Sequence, residues 1–130
     1  MARQASCSCG QLRVTVEGEP VRVSVCHCLA CQRRTGSAFG YQARFPIEGF
    51  EIEGDYKEHV RYSDDEGEER RLSFCPECGS TVFYKPAPGF VAIPVGAFAD
   101  PSFPPPRVEV YESRRHSWVV MPDTIDQKLD

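Results

Sequence analysis

No stretch of this chain is both long and apolar. The longest mostly apolar segment, residues 90–99, is ten residues long and is broken by Pro94 and Gly96, far short of the roughly 20 that a membrane helix requires. No apolar segment precedes the first cysteine either. Only Met1-Ala2-Arg3-Gln4-Ala5-Ser6 stands there, without the apolar region of a secretory signal, so a cytoplasmic protein with no membrane partner is expected. Positive charge is also short: 15 Lys and Arg against 19 Asp and Glu leave a net charge of −4. That balance lacks the basic footprint of a protein that binds a nucleic-acid backbone. The densest charged run, residues 64–71, reads as a solvated turn with Gly67 at its tip. Gly and Pro, 10 and 11 of 130 residues, are too few for a low-complexity chain. With 41% hydrophobic residues, residues 1–130 are expected to form one compact domain around one core.

Helical periodicity and repeats at a solenoid spacing are missing as well, and a period of two prevails. Leu12, Val14 and Val16 alternate with polar residues, and after Gly18-Glu19-Pro20 the pattern resumes at Val21, Val23 and Val25. This predicts a hairpin that delivers Cys26. A second hairpin is expected from residues 59–63 through the acidic turn to residues 71–74, ending at Cys75. Strands are also expected at residues 81–84, 90–95 and 107–111. Helix should be limited to a short turn, near Ala99-Asp100-Pro101 or after Cys31. The fold class is therefore mainly β. Residues 126–130 are polar and are expected to fray.

Cysteine is the residue in excess. Seven thiols in a chain with no export signal argue against disulfides, because cytosolic thiols stay reduced and an odd number cannot pair completely. Metal ligation is the better account. The thiols fall into three groups: Cys7 and Cys9; Cys26, Cys28 and Cys31; Cys75 and Cys78. A C-x-x-C turn followed by glycine, as at residues 75–79, lets two thiolates chelate one ion while the glycine relieves the backbone. Cys7 and Cys9, also followed by glycine, form a matching donor pair, and a structural zinc held by Cys7, Cys9, Cys75 and Cys78 follows. A ribbon joining Cys28-x-x-Cys31 to Cys75-x-x-Cys78 stays open as an alternative. The 43 residues between those pairs exceed the roughly 15 to 20 of a compact ribbon.

The first pairing leaves Cys26, Cys28 and Cys31 together on one loop. Three ligands with an open fourth position suit a catalytic zinc, and an all-sulfur set favours another sulfur as the exchangeable ligand. A small thiol would lose its proton there and become a nucleophile. His27 lies between two ligands in an extended segment, so its ring should point away from the metal face, in contact with a ligand or simply solvated. The plainer alternative is a zinc site with no chemistry.

The order Cys-x-Cys-Gly (residues 7–10), Cys-His-Cys-x-x-Cys-Gln-Arg-x-x-Gly-Ser (residues 26–37) and Phe-Cys-x-x-Cys-Gly-Ser (residues 74–80) resembles the glutathione-dependent formaldehyde-activating enzyme family, related to the centromere protein V group. The match covers nearly the whole chain. It departs at His116-Ser117 before Trp118, where Ala-Pro is common in the family. The resemblance implies a β-tent fold, a small sandwich of antiparallel sheets with zinc knuckles and little helix. It implies two zinc ions per chain, a structural one on Cys7, Cys9, Cys75 and Cys78 and a catalytic one on Cys26, Cys28 and Cys31.

The implied activity is that of a carbon-sulfur lyase that condenses glutathione, as co-substrate, with formaldehyde or a related small aldehyde to give S-hydroxymethylglutathione. Glutathione's thiol would be deprotonated on the second zinc and attack the aldehyde carbon. His27 is a candidate base by proximity, and Arg33 and Arg34 are candidates to clamp glutathione's carboxylates. The alternative function is a non-catalytic zinc domain that binds glutathione or a protein partner. An exposed strand edge would suit a homodimer.

Overall fold

The computed structural model describes residues 1–65 and 67–129. Glu66, inside the acidic turn, and Asp130, at the end of the polar tail, lie outside the described residues. The strands in chain order are β1 (Ala2–Ser6), β2 (Arg13–Glu17), β3 (Arg22–Cys26), β4 (Gly40–Pro46), β5 (Glu51–Glu53), β6 (Lys57–Tyr62), β7 (Glu69–Phe74), β8 (Thr81–Tyr84), β9 (Phe90–Pro94), β10 (Val108–Val110) and β11 (Gln127–Leu129). One α-helix, α1 (Leu29–Thr35), and two short 3-10 turns complete the described elements. The mainly β expectation holds. No described helix is long and apolar enough to cross a membrane.

Two sheets account for the strands. The smaller has the order β1-β2-β5, and the larger runs β11-β10-β3-β4-β9-β8-β7-β6. The predicted hairpin through Gly18-Glu19-Pro20 does not form. β2 pairs with β1 and β5, whereas β3 pairs with β4 and β10 in the other sheet. The reason is packing. Val14 and Val16 of β2 bury against the core that also holds Val23 of β3, Phe45 of β4 and Val91 and Ile93 of β9. The two strands therefore meet face to face across the sandwich, as two half-apolar sheets do when each covers the other. Period two reports which face is buried and leaves the pairing partner open.

The second expected hairpin is present, with β6 and β7 in antiparallel register from Lys57↔Phe74 to Tyr62↔Glu69. Two details differ from the sequence reading. β10 runs parallel to both β3 and β11, so one end of an otherwise antiparallel sheet is parallel. The polar tail does not fray through Leu129: β11 pairs with β10, Arg107 bonds Asp126, and Lys128 reaches Glu112 at 3.3 Å.

Strand β3 carries the consequence for function. Its alternation places Val23 and Val25 on one face and Arg22, Ser24 and Cys26 on the other. In register with β4 the second face forms the rows Arg22↔Arg44, Ser24↔Gln42 and Cys26↔Gly40. That face is not solvated, since Ser24 and Gln42 are both buried. On the opposite face, Phe45 is completely buried and packs against Phe98 with ring centroids 5.9 Å apart. Replacing Phe45 by Ala is expected to cost about 3 to 5 kcal/mol of stability, measured by urea unfolding followed by circular dichroism.

Candidate metal centres

Two sulfur clusters form, and together they use every cysteine of the chain. The Sγ atoms of Cys7, Cys9, Cys75 and Cys78 lie within 4.8 Å of one another, and so do those of Cys26, Cys28 and Cys31. All seven thiols are free. The structure does not bring Cys28 and Cys31 to Cys75 and Cys78, so the ribbon arrangement is not the one adopted.

The four-sulfur cluster joins the sheets. Cys7 and Cys9 follow β1 of the small sheet, and Cys75 and Cys78 lie between β7 and β8 of the large one. Each half is a tight turn in which the glycine amide reaches back to a cysteine carbonyl: Gly10 to Cys7 at 3.1 Å and Gly79 to Cys75 at 2.8 Å. Both glycines have positive φ, +82° and +81°, a region open to glycine at little cost. Ser8 and Ser80 bond across the seam at 3.0 Å. The sulfurs accept from the chain's own donors: Leu12 N–H to Cys7 at 3.3 Å, Glu77 N–H to Cys75 at 3.4 Å and the Gln11 amide to Cys75 at 3.0 Å. Gln11 is pinned in turn by Asp55, and this close approach requires Gly54, where a Cβ would sit 2.0 Å from the Gln11 carbonyl oxygen.

The Cys7–Cys9 and Cys9–Cys75 sulfur separations are 3.6 and 3.7 Å. Tetrahedral zinc with bonds of about 2.3 Å places its sulfurs about 3.8 Å apart, so the donor set fits that ion.

The three-sulfur cluster is built differently. Cys26 ends β3, Cys28 caps α1 by accepting from the Cys31 N–H at 3.2 Å, and Cys31 lies inside the helix, one turn earlier than the sequence suggests. α1 has only seven residues, ends at Gly36 with φ +70°, and depends on its neighbours. Asp64 accepts from the Leu29 and Ala30 amides at 2.8 and 3.3 Å. The side chain of Asp64 is only 12% exposed and lies beside Arg114, which also binds Asp65 at 2.7 Å. This part of the acidic run is thus docked on the metal loop and is not the solvated turn expected from composition. Gln32 ties the helix back to the loop through the His27 carbonyl at 2.8 Å.

His27 is completely buried and does not line the cavity described below. Its Nε2 meets Glu109 Oε2 at 2.8 Å, and Arg115 reaches the same oxygen at 3.1 Å. Glu109 lies on β10, so this contact locks the loop between Cys26 and Cys28 to the neighbouring strand.

The three thiols differ sharply in acidity. Hydrogen bonds with Cys26 and Cys28, and the charges of Arg61 and Arg34, hold Cys31 down to about 2 in spite of its burial. Hydrogen bonds with Cys28 and Cys31, together with burial, push Cys26 far above the usual thiol range. The cluster accepts one negative charge readily and resists more until a cation joins it. Three soft donors with no fourth protein ligand among the described residues fit a zinc with one open position.

The open side faces a cavity of about 240 Å³ lined by all three cysteines, by Ser24, Gln42 and Tyr84, and by Arg22, Arg44, Arg61 and Arg70. Arg33 and Arg34 do not line it. They open onto a neighbouring depression with Ala30 and His59, although Arg34 Nη2 also lies at Gly40, where a Cβ would meet it at 3.1 Å together with Gln42 and Cys31, and its charge acts on Cys31 and Tyr84. The sequence reading missed the four lining arginines, although strand parity places Arg22 and Ser24 on the face of Cys26.

With this geometry in hand, the family comparison is specific. Residues 2–114 match the family described as glutathione-dependent formaldehyde-activating enzyme, and the chain belongs to that family. No curated protein matches it.

The buried contact on the loop is open to test. Glu109→Ala leaves Arg115 to the more distant Glu112, at 3.8 Å, and His27 without a bond at Nε2, and is expected to lower stability by about 3 kcal/mol, read from denaturant unfolding.

Proposed function

We propose that the protein joins a small anionic thiol to formaldehyde or a related small aldehyde, with glutathione as the reference thiol, and that it runs the reverse cleavage as a carbon-sulfur lyase. The observation that carries this reading is the three-cysteine cluster whose open side faces a cavity lined by arginine. In this reading Cys7, Cys9, Cys75 and Cys78 hold a structural zinc, and Cys26, Cys28 and Cys31 hold the reactive one. The setting is a cytoplasmic, single-domain β-tent protein. A zinc ion on the three cysteines supplies a Lewis acid with one position left for an outside sulfur, at which a thiol gives up its proton near neutral pH.

The rest of the chemistry falls to the chain's own groups. Arg61, with its Nη2 3.7 Å from Cys31 Sγ, offsets the negative charge that gathers when sulfur is ionised. Condensation forms one S–C bond and breaks the C=O π bond, and the carbonyl oxygen must receive a proton. Tyr84 lines the cavity. Burial, and next the negative charge of Cys31, raise its phenol above the ordinary range, so it stays protonated and able to donate. His27 is a positioning residue for Cys26 and Cys28, because its ring is committed to Glu109.

Two measurements test this. Native mass spectrometry of the chain in a slight excess of glutathione should count two zinc ions and one thiol. Cys28→Ser should keep the fold and lose the thiol and one ion, whereas Cys78→Ser should unfold, since a structural zinc supplies on the order of 10 kcal/mol in small metal-dependent domains. A single zinc with no bound thiol would instead favour a structural zinc domain that docks a protein. The second measurement is the rate of hydroxymethyl thioether formation by carbon NMR with labelled formaldehyde. Tyr84→Phe is expected to lower kcat by about 10²-fold and leave the KM for thiol nearly unchanged; an unchanged kcat would remove Tyr84 from the mechanism.

A further inference from the structure

The cavity holds two pairs of arginines set directly opposite each other across antiparallel ladders: Arg22↔Arg44 between β3 and β4, and Arg61↔Arg70 between β6 and β7. Like charges in directly opposed positions destabilise a sheet, so each pair calls for a compensating anion. The second pair has one within the chain. Arg70 bonds Glu68 at 2.9 Å, and Arg61 donates to the Cys31 sulfur. The first pair has none. Among the described residues no carboxylate or carbonyl bonds either the Arg22 or the Arg44 guanidinium, and Arg22 Nε is buried with no partner. Arg44 stacks over the Phe90 ring, 5.7 Å from the centroid. Burial, then the charge of Arg44, push Arg22 below the ordinary guanidinium range.

No acidic side chain lines the cavity among the described residues, and its other polar groups are Ser24, Gln42, Ser63 and the phenols. Arg22 precedes Cys26 by four residues on the same face of one strand, about 13 Å along the strand.

We propose that Arg22 and Arg44 form an anion clamp at the end of the cavity away from the thiols. The clamp selects a thiol with a carboxylate or similar anionic group remote from its sulfur and makes no demand for an amino group. This rests on the function proposed above and adds to it the residues that read the thiol's anionic group and the indifference to its amino group. A planar carboxylate suits the two guanidinium forks, and it removes the repulsion between them. A free ammonium on the ligand gains nothing at this end of the cavity, where the charged groups are arginines and no carboxylate lines the wall among the described residues. The arginine pair is therefore an element that lowers the stability of the empty protein and raises its affinity for the anionic thiol.

The test uses the full chain loaded with cobalt(II), whose sulfur-to-metal absorption band reports an incoming thiol and yields Kd by titration. Four thiols are compared: 2-mercaptoethanol, glutathione, glutathione diethyl ester and N-acetylglutathione. Glutathione is expected to bind at least about tenfold tighter than its diester, the lower range for a charge-assisted hydrogen bond, and N-acetylglutathione at least as tightly as glutathione. Arg22→Gln is expected to abolish the preference over the diester, leave 2-mercaptoethanol unchanged and raise Tm. Arg44→Gln serves as the second variant, with the same loss of preference.

Equal binding of glutathione and its diester, retention of the preference in both variants, or tenfold weaker binding of N-acetylglutathione would each overturn the clamp while leaving the thiol-binding cluster standing. A band that no thiol alters, 2-mercaptoethanol included, would overturn the proposed function and the clamp together.

Discussion

Strand β3 lies in the interior of the large sheet, paired on one side with β4 and on the other with β10, and neither of its faces is given over to water. One face must be apolar because it is covered: Val23 joins the core shared with the small sheet, and Val25 is buried beside Phe103, Pro105 and Val119. The other face is enclosed as well, yet it carries Arg22, Ser24 and Cys26. Burying such groups costs free energy unless each finds a partner. Ser24 finds Gln42 at 3.1 Å, and Cys26 finds the other two thiols. Among the described residues the arginine finds only another arginine opposite it. The cavity, the sulfur cluster at its rim and the unbalanced charge at its far end all follow from this one enclosed polar face.

The two sulfur clusters share a donor chemistry and differ in what surrounds them. Around Cys7, Cys9, Cys75 and Cys78 the chain supplies its own amide donors and four sulfurs within reach of one ion, and the cluster spans the seam between the sheets. Around Cys26, Cys28 and Cys31 the chain supplies three ligands and leaves one side to the cavity. That open side stays in place because the loop is held from behind: His27 is fastened to Glu109 on β10, and the first amides of the short helix are capped by Asp64 from the β6–β7 turn. A seven-residue helix has little stability of its own, so these distant groups set the geometry of the thiols.

Where reading the chain succeeded, the information was local. The β6–β7 hairpin was legible because alternation, a charged turn and a glycine lie within one short segment. The grouping of cysteines was legible because C-x-C and C-x-x-C spacings define chelating turns. The reading of residues 12–25 as a hairpin failed because an alternating strand looks the same whether its apolar face packs on a neighbour in the opposite sheet or its edge pairs with the next strand. Asp64 and Asp65 looked like surface charge because nothing in their vicinity shows that Arg114 and the start of α1 lie beside them. Arg33 and Arg34 drew attention by following the metal loop; Arg34 does reach the Gly40 backbone beside Gln42 and Cys31, whereas Arg22 and Arg44 enter the cavity from the strands, where only the pairing of β3 with β4 sets them side by side.

The sequence by itself determined the strand-rich character, the two chelating turns and the parity that sets Arg22, Ser24 and Cys26 on a common face, since each depends only on backbone geometry over a few residues. The tertiary structure decided which turns share an ion site, which acid caps the helix and which arginines meet across the sheets. The two turns meet at Ser8 and Ser80, 72 positions apart, and the acid lies 35 positions from the amide it caps. Their meeting is set by how two half-apolar sheets cover each other, and that packing is a property of the whole chain.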